Sequence, residues 1–475
     1  MASPSPPSHR HAVLFPFMSK GHTIPILQLA RLLLRRCITV TVITTPANRP
    51  FISHSLSDTK ASIVDIPFPE NIPDVPAGVE STDKLPSISL FVPLAIATKL
   101  MQPHFEKMLQ SLSPVSFLIS DGFLGWTVES ASKYSIPRLV IYGMSAYAMA
   151  VTRDVSVHRL LQQPIPDDVP FAVPAFPWIK LTRNDFEPPF RDIEPSGPHF
   201  DFVVEQVAAT AKSQGLIVNS FYDLEPAFVD YWNRACEPKA WSVGPLCLAA
   251  PLAPSQTAAE KPDYLRWLDS ELAEGKPVLY VAFGSQAEIS REQFREIATG
   301  LEESEVSFLW VVGKKDFGMF EMADAAFEER VEERGMIVQE WVDQREILGH
   351  EVVKGFLSHC GWNSVVESMC AGVPVLAWPM MAEQHLNARM VVEEIGVGVR
   401  VERCDGGVRG FVKGEGLQRS VRELMEGEKG NEVRKKAKEI AAAARKAMEE
   451  GGSSCQMLDQ LILHTCKLFT DPSSG

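Results

Sequence analysis

Much that would assign this chain of 475 residues at a glance is missing from it. No apolar run reaches the ~18 residues that a membrane-spanning helix needs. The segment Met1 to Arg10 is rich in Ser and Pro rather than a basic stretch leading into an apolar signal core. The eight cysteines form no Cys-x-x-Cys pair and no Asn-x-Ser/Thr sequon occurs, so free thiols and a cytoplasmic location are expected. A basic excess is absent too. Lys and Arg number 46 against 60 Asp and Glu, and the net charge of −14 disfavours nucleic acid and anionic membrane as partners. Neither a Walker A loop nor a Gly-x-Gly-x-x-Gly turn after a strand is present, which removes the commonest phosphate and dinucleotide signatures. With no Asp-x-Asp triplet and no His/Cys cluster, no metal site is expected.

What is present is an ordinary globular composition, 45% apolar and 22% charged, in a chain long enough for two or three domains. His11 to Phe17 reads as a buried strand, Met18 to His22 as a short polar loop, and Ile24 to Arg35 as a helix. Ile38 to Thr44 follows as a β-branched strand. Strand, loop, helix and strand within about 35 residues begin a βαβ unit and imply a parallel sheet. Further strands are expected at Ser62 to Ile66, Ser116 to Ser120, Pro137 to Tyr142 and Gly215 to Asn219. Residues 160–198, rich in proline and aromatics, suit an irregular loop. Leu248 to Pro262 has linker composition, and the alternation restarts at Pro277 to Phe283. The expected architecture is α/β, with two doubly wound domains facing across a cleft. The boundaries are 1–250 for the first domain, 251–262 for a linker, 263–450 for the second domain, and 451–475 for a terminal helix able to pack back on the first.

One stretch carries chemistry of its own. Ser358-His-Cys-Gly-Trp-Asn-Ser364 follows a strand and opens a helix, whose first turn presents free N–H groups and a partial positive charge. Asn363 and Ser364, helped by His359, either hold a diphosphate there or form an ordinary N-cap.

The surrounding 44 residues, Trp341 to Gln384, resemble the signature box of the plant family 1 UDP-sugar glycosyltransferases. The box reads Trp341-Val-Asp-Gln-Arg-Glu, then His359-Cys-Gly-Trp-Asn-Ser364, Glu367, Gly372-Val-Pro, and closes with Glu383-Gln384. Gly21-His22, Ser120-Asp121 and Phe283-Gly-Ser-Gln286 extend the resemblance over nearly the whole chain, closest to the family's branch numbered 90. The resemblance implies a GT-B fold of two Rossmann-like domains and a donor site for UDP-glucose. Trp341 would stack on uracil, a contact worth ~1 to 3 kcal/mol in comparable settings, and the Val342 backbone would read the base edge. Glu367, with Gln344, would accept from the ribose hydroxyls. His359, Asn363, Ser364 and Ser285 would meet the diphosphate. Glu383 and Gln384, with the backbone of Trp362, would bind the sugar. Gln384 is the residue type the family associates with glucose, whereas Glu383 stands where many members have Asp.

The resemblance also assigns the chemistry to His22, as the base that deprotonates an acceptor, and to Asp121, as its partner. Both lie at the carboxyl edge of the first expected sheet, where such folds place their sites. Displacement of UDP would invert the anomeric carbon and give a β-glycoside with no cofactor. Met18, Phe91, Phe123, Trp126, Met144, Tyr147 and the aromatic segment 171–190 are candidates to line an apolar acceptor pocket, or are core side chains. Ser145 is a candidate sugar contact, and Lys20 is expected to be solvated. The function that follows is transfer of glucose from UDP-glucose to a small lipophilic acceptor, a flavonoid or other phenol, by a monomer. A C-glucosyltransferase and a non-catalytic nucleotide-sugar or hormone-binding protein are the alternatives.

Overall fold

The computed structural model describes residues 10–112, 114–249, 261–313, 317, 318, 320, 324, 326–339, 342–404 and 406–470, with backbone alone for 467–470. Linker residues 251–260 lie outside the described residues, as does Trp341. The chain divides into two compact units. The first is drawn from Met1–Ala146, Ser196–Ala250 and Ala447–Gly475, the second from Tyr147–Pro195 and Pro251–Lys446. Residues 147–195, which the sequence boundary keeps in the first domain, group with the second unit, and the C-terminal residues group with the first.

In chain order the strands begin with β1 (His11–Phe15), β2 (Thr39–Thr44), β3 (Ser62–Asp65), β4 (Phe117–Asp121) and β5 (Arg138–Tyr142). A hairpin follows, β6 (Phe171–Val173) and β7 (Phe176–Leu181), then β8 (Gly215–Val218) and β9 (Ala240–Ser242). The second unit adds β10 (Val278–Ala282), β11 (Ser307–Val311), β12 (Gly335–Val338), β13 (Val353–Ser358), β14 (Val375–Ala377) and β15 (Gly398–Arg400). The first unit's sheet is parallel in the order β3-β2-β1-β4-β5-β8-β9, and the second unit's is parallel in the order β12-β11-β10-β13-β14-β15. In both, the order reverses beside the first strand, at β1/β4 and at β10/β13. Loops leaving the carboxyl ends of strands diverge at such a switch point and leave a crevice for a ligand.

Parallel strands covered on both faces must be apolar on both. Ala12 and Leu14 of β1 pack with Val40, Val42 and Trp241, while Val13 and Phe15 pack on the other side with Phe105 and Leu118. β10 alternates likewise, Leu279 and Val281 facing Trp310 and Leu357, and Val278 and Tyr280 facing Leu268 and Phe356. The C-terminal helix Ser453–Thr470 buries Leu458, Leu461 and Ile462 beside Trp241, and its Arg36–Asp459 pair adds a polar tie. Among the described residues no helix is long and apolar enough to cross a membrane.

Residues 160–198 are more ordered than their composition suggests. Phe171 pairs with Leu181 in the β6–β7 hairpin, with Pro174 in its turn and Pro177 tolerated on a two-stranded ribbon that has free edges. The segment after it is fastened to the rest of the second unit. Asp185 takes two bonds from Arg389, at 2.6 and 2.9 Å, and Glu187 takes one from Arg409 at 2.6 Å. Trp178 donates to Glu394 at 3.0 Å.

Candidate active site

Four residues separate the end of β1 from the helix α1 (Lys20–Arg35), and His22 stands in its first turn. β4 lies beside β1 with Phe15 opposite Ser120, so Asp121, the last residue of β4, reaches the same sheet edge. His22 Nδ1 and Asp121 Oδ2 are 2.8 Å apart, with side-chain exposures of 20% and 2%. The other carboxylate oxygen accepts from the backbone N–H of Phe123 at 2.9 Å, which fixes the carboxylate plane. An ionised carboxylate only accepts, so the neutral imidazole carries its proton on Nδ1 and presents the lone pair of Nε2. That is the arrangement of a general base with an orienting partner. Gly122 is required next to Asp121, because a Cβ there would lie 1.9 Å from the Tyr142 ring.

Four phenylalanines surround this pair. Phe17 meets the His22 ring edge-on at 5.6 Å and Phe123 lies tilted against it at 4.9 Å, while Phe91 and Phe202 pack on Phe123 at 5.5 and 5.8 Å. Of the expected acceptor residues, Phe91 and Phe123 belong to this partly open cluster and Met18 is buried in the core behind it. Trp126 is buried against Phe15 and Phe105 and donates to Thr98, which is a core placement. Met144 is half-buried, Ser145 is buried, and Tyr147 is buried in the second unit. Lys20 pairs with Asp83 at 3.9 Å. Phe17 and Phe202 were not singled out in the sequence, where a phenylalanine in a strand end or a helix looks like any core residue.

In the second unit the loops after β10 and β13 meet. Gly284 adopts φ +77°, and a Cβ there would come within 2.8 Å of His359 Nε2. His359 is followed by Cys360 in the left-handed region, at φ 64°, and by the helix α2 (Trp362–Ala371). Burial pushes the His359 imidazole down to about 4, against the opposing pull of a hydrogen bond to the backbone of Ala282, so the ring is neutral at physiological pH. Its Nδ1 is buried without a hydrogen-bond partner. Asn363 and Ser364 stand in the first turn of α2, and Ser285 is exposed on the facing loop. Trp362 is buried, which leaves its backbone as the group available to a ligand. Backbone amides and short polar side chains at a helix N-terminus fit a diphosphate, whereas the single N–H of the neutral His359 ring is already directed at the Ala282 backbone.

Glu367 lies one turn along α2 from Asn363. Gln344 donates to it at 2.7 Å and to Ser364 at 3.0 Å, and accepts from the Tyr280 hydroxyl at 3.3 Å. Burial pushes the Glu367 carboxyl up to about 7, partly offset by the Gln344 bond. Val342 is buried beside this group.

Glu383 and Gln384 open the helix α3 (Gln384–Arg389). The side-chain oxygen of Gln384 accepts from the backbone N–H groups of Met380 and Met381, both at 3.0 Å, so its amide nitrogen is turned outward as a donor. Asn387, not singled out in the sequence, is wholly buried and donates to Cys360 O at 3.0 Å and to Glu383 Oε1 at 3.3 Å. One amide thus ties the loop before α2 to the carboxylate before α3. No periodicity marks it, because Gln384 and His385 of the same short helix are polar and buried as well. Among the described residues no three His, Cys, Asp or Glu side chains converge as a metal site.

Comparison with known proteins identifies the family and the fold. Residues 261–434 match the family described as UDP-glucoronosyl and UDP-glucosyl transferase. The chain is 56% identical to UDP-glycosyltransferase 90A1 of Arabidopsis thaliana over 97% of each chain. It is 34% identical to UDP-glucose flavonoid 3-O-glucosyltransferase 7 of Fragaria ananassa over 95% of each. Among solved structures, Glycyrrhiza uralensis UGT73P12 complexed with glycyrrhetinic acid 3-O-monoglucuronide is similar with a TM-score of 0.84 at 30% identity, covering 98% of this chain and 97% of that one.

Proposed function

Because the chain belongs to the plant family 1 UDP-glycosyltransferases, enzymes that move a sugar from a UDP-sugar to a small molecule, we propose that it transfers glucose from UDP-glucose to a hydroxyl of a flavonoid or other phenol. Its two Rossmann-like units are those of the GT-B class. The observation that carries the catalytic part is the 2.8 Å bond from His22 Nδ1 to Asp121, which leaves Nε2 as the base. An acceptor O–H gives its proton to Nε2 while its oxygen bonds to the anomeric carbon. The bond from that carbon to the UDP oxygen breaks, UDP keeps the electron pair, and the carbon inverts to a β-O-glucoside. Asp121 then stabilises the imidazolium until the proton passes to water. Charge developing on UDP is met by the first turn of α2, Asn363 and Ser364, with no cofactor required.

Glucose is favoured by the outward-facing Gln384 amide beside the Glu383 carboxylate, two groups matched to neighbouring sugar hydroxyls. A phenolic acceptor is favoured by the phenylalanine cluster at His22, since flat apolar rings suit a planar aromatic, and by the flavonoid in the name of the strawberry relative. The same reading takes the enzyme as a cytoplasmic monomer. It is tested by incubating the protein with UDP-glucose and a panel of flavonoids, simple phenols and triterpenes, following UDP release and product mass together. Gain of one hexose on a phenol, released again by acid, supports the reading. An acid-stable product would make it a C-glucosyltransferase, and UDP-glucose binding without transfer would leave a binding protein.

A further inference from the structure

Arg138 lies on β5 among Leu139, Val140 and Ile141, with only 2% of its surface exposed. A guanidinium buried in an apolar strand is costly unless its charge is compensated. Its hydrogen-bond partners are all uncharged. Nε donates to Ser120 Oγ at 2.8 Å and Thr127 Oγ1 at 2.9 Å, Nη1 to Ser213 Oγ at 2.5 Å, and Nη2 to the backbone carbonyl of Asp121 at 3.5 Å. Burial pushes the guanidinium down to about 10, still protonated at neutral pH, and the carboxylate whose charge reaches it is that of Asp121.

A carboxylate hydrogen-bonded to an imidazole favours the imidazolium, and an imidazole already protonated in the resting enzyme cannot serve as a base. A cation placed behind the carboxylate offsets part of that pull. We propose that Arg138 is a positioning residue for the reaction, its guanidinium holding the end of β4 and acting as the counter-charge to Asp121, so that His22 stays neutral until the acceptor delivers its proton. This rests on the reading of His22 as the base. Tyr142, on β5, is pushed up to about 12 by burial and is neutral, Lys20 is paired with Asp83, and Lys133 with Glu106.

The test is the pH profile of kcat/KM for wild type, Arg138→Gln, Arg138→Lys and His22→Ala. Loss of the cation should move the acid limb to higher pH by about half a unit or more. Arg138→Lys should leave the limb in place, and KM for UDP-glucose should be unchanged in both. A folded Arg138→Gln enzyme with an unmoved limb overturns the proposal. Should that variant not fold, Ser213→Asp sets a carboxylate on Nη1 and cancels the charge without removing the guanidinium. The same upward shift is expected, and its absence overturns the proposal equally. Full turnover with the same acid limb in His22→Ala would instead overturn the reading of His22 as the base. A limb lost with His22 but unmoved in the Arg138 and Ser213 variants would overturn only the role of Arg138.

Discussion

A buried carboxyl pushed up to about 7 places the ionisation of Glu367 near neutral pH. To accept from two ribose hydroxyls it must be ionised, so donor affinity should fall as pH drops through 7. Titration with UDP-glucose in the absence of acceptor should show Kd rising up to ~10-fold between pH 8 and pH 6. Glu367→Gln should bind more weakly at pH 8 and lose this dependence. His359, neutral down to about 4, contributes no slope there. Asn387 gives a second prediction at this scale. Asn387→Ala releases Glu383 and the Cys360 carbonyl together, and a buried hydrogen bond to a charged group is worth ~1.5 to 3 kcal/mol. The catalytic efficiency for UDP-glucose should fall by ~10-fold or more, while UDP, which lacks the sugar, should bind within about threefold of wild type. The two residues differ in legibility. Glu367 was readable because it falls within a box of fixed spacings. Asn387 was not, because its importance comes from the left-handed turn at Cys360 that it stabilises, and such a turn leaves no periodicity in the sequence.

At the scale of elements, the segment after the β6–β7 hairpin is fastened to α3 by a carboxylate that is wholly buried, Asp185, and by Arg389. Removing one partner of a buried ion pair leaves the other uncompensated and costs ~3 to 5 kcal/mol. Arg389→Ala should therefore lower the melting temperature by on the order of 10 °C, with faster amide exchange across 182–191. Asp185→Leu combined with Arg389→Met should recover much of the loss. An unchanged exchange rate in Arg389→Ala would mean the pair fastens nothing. The parallel strands were readable in the sequence because β-branched runs such as Thr39 to Thr44 are buried on both faces. β9 was not, since Ala240-Trp-Ser242 is too short to show a period. The hairpin was hidden because Pro174 and Pro177 argue against a strand unless it has a free edge. The assignment of 147–195 to the second unit was equally invisible, because it depends on Arg389 and Arg409, more than 200 residues away.

For the whole molecule, the proposed reaction divides its work between the units. The base and its aromatic surroundings belong to the first, and the groups assigned to nucleotide and sugar belong to the second. Donor binding and base chemistry should then be separable by mutation, since each set of side chains is held by its own sheet. UDP at 100 times its Kd should stabilise wild type and His22→Ala alike, by ~2.7 kcal/mol. The most direct test of the central claim is single-turnover glucose transfer by His22→Ala, at saturating UDP-glucose and acceptor, with donor binding measured on the same preparation. Unchanged donor affinity with transfer slowed by ~10²- to 10⁴-fold is the predicted result. Transfer at the wild-type rate would contradict the assignment of His22 as the base.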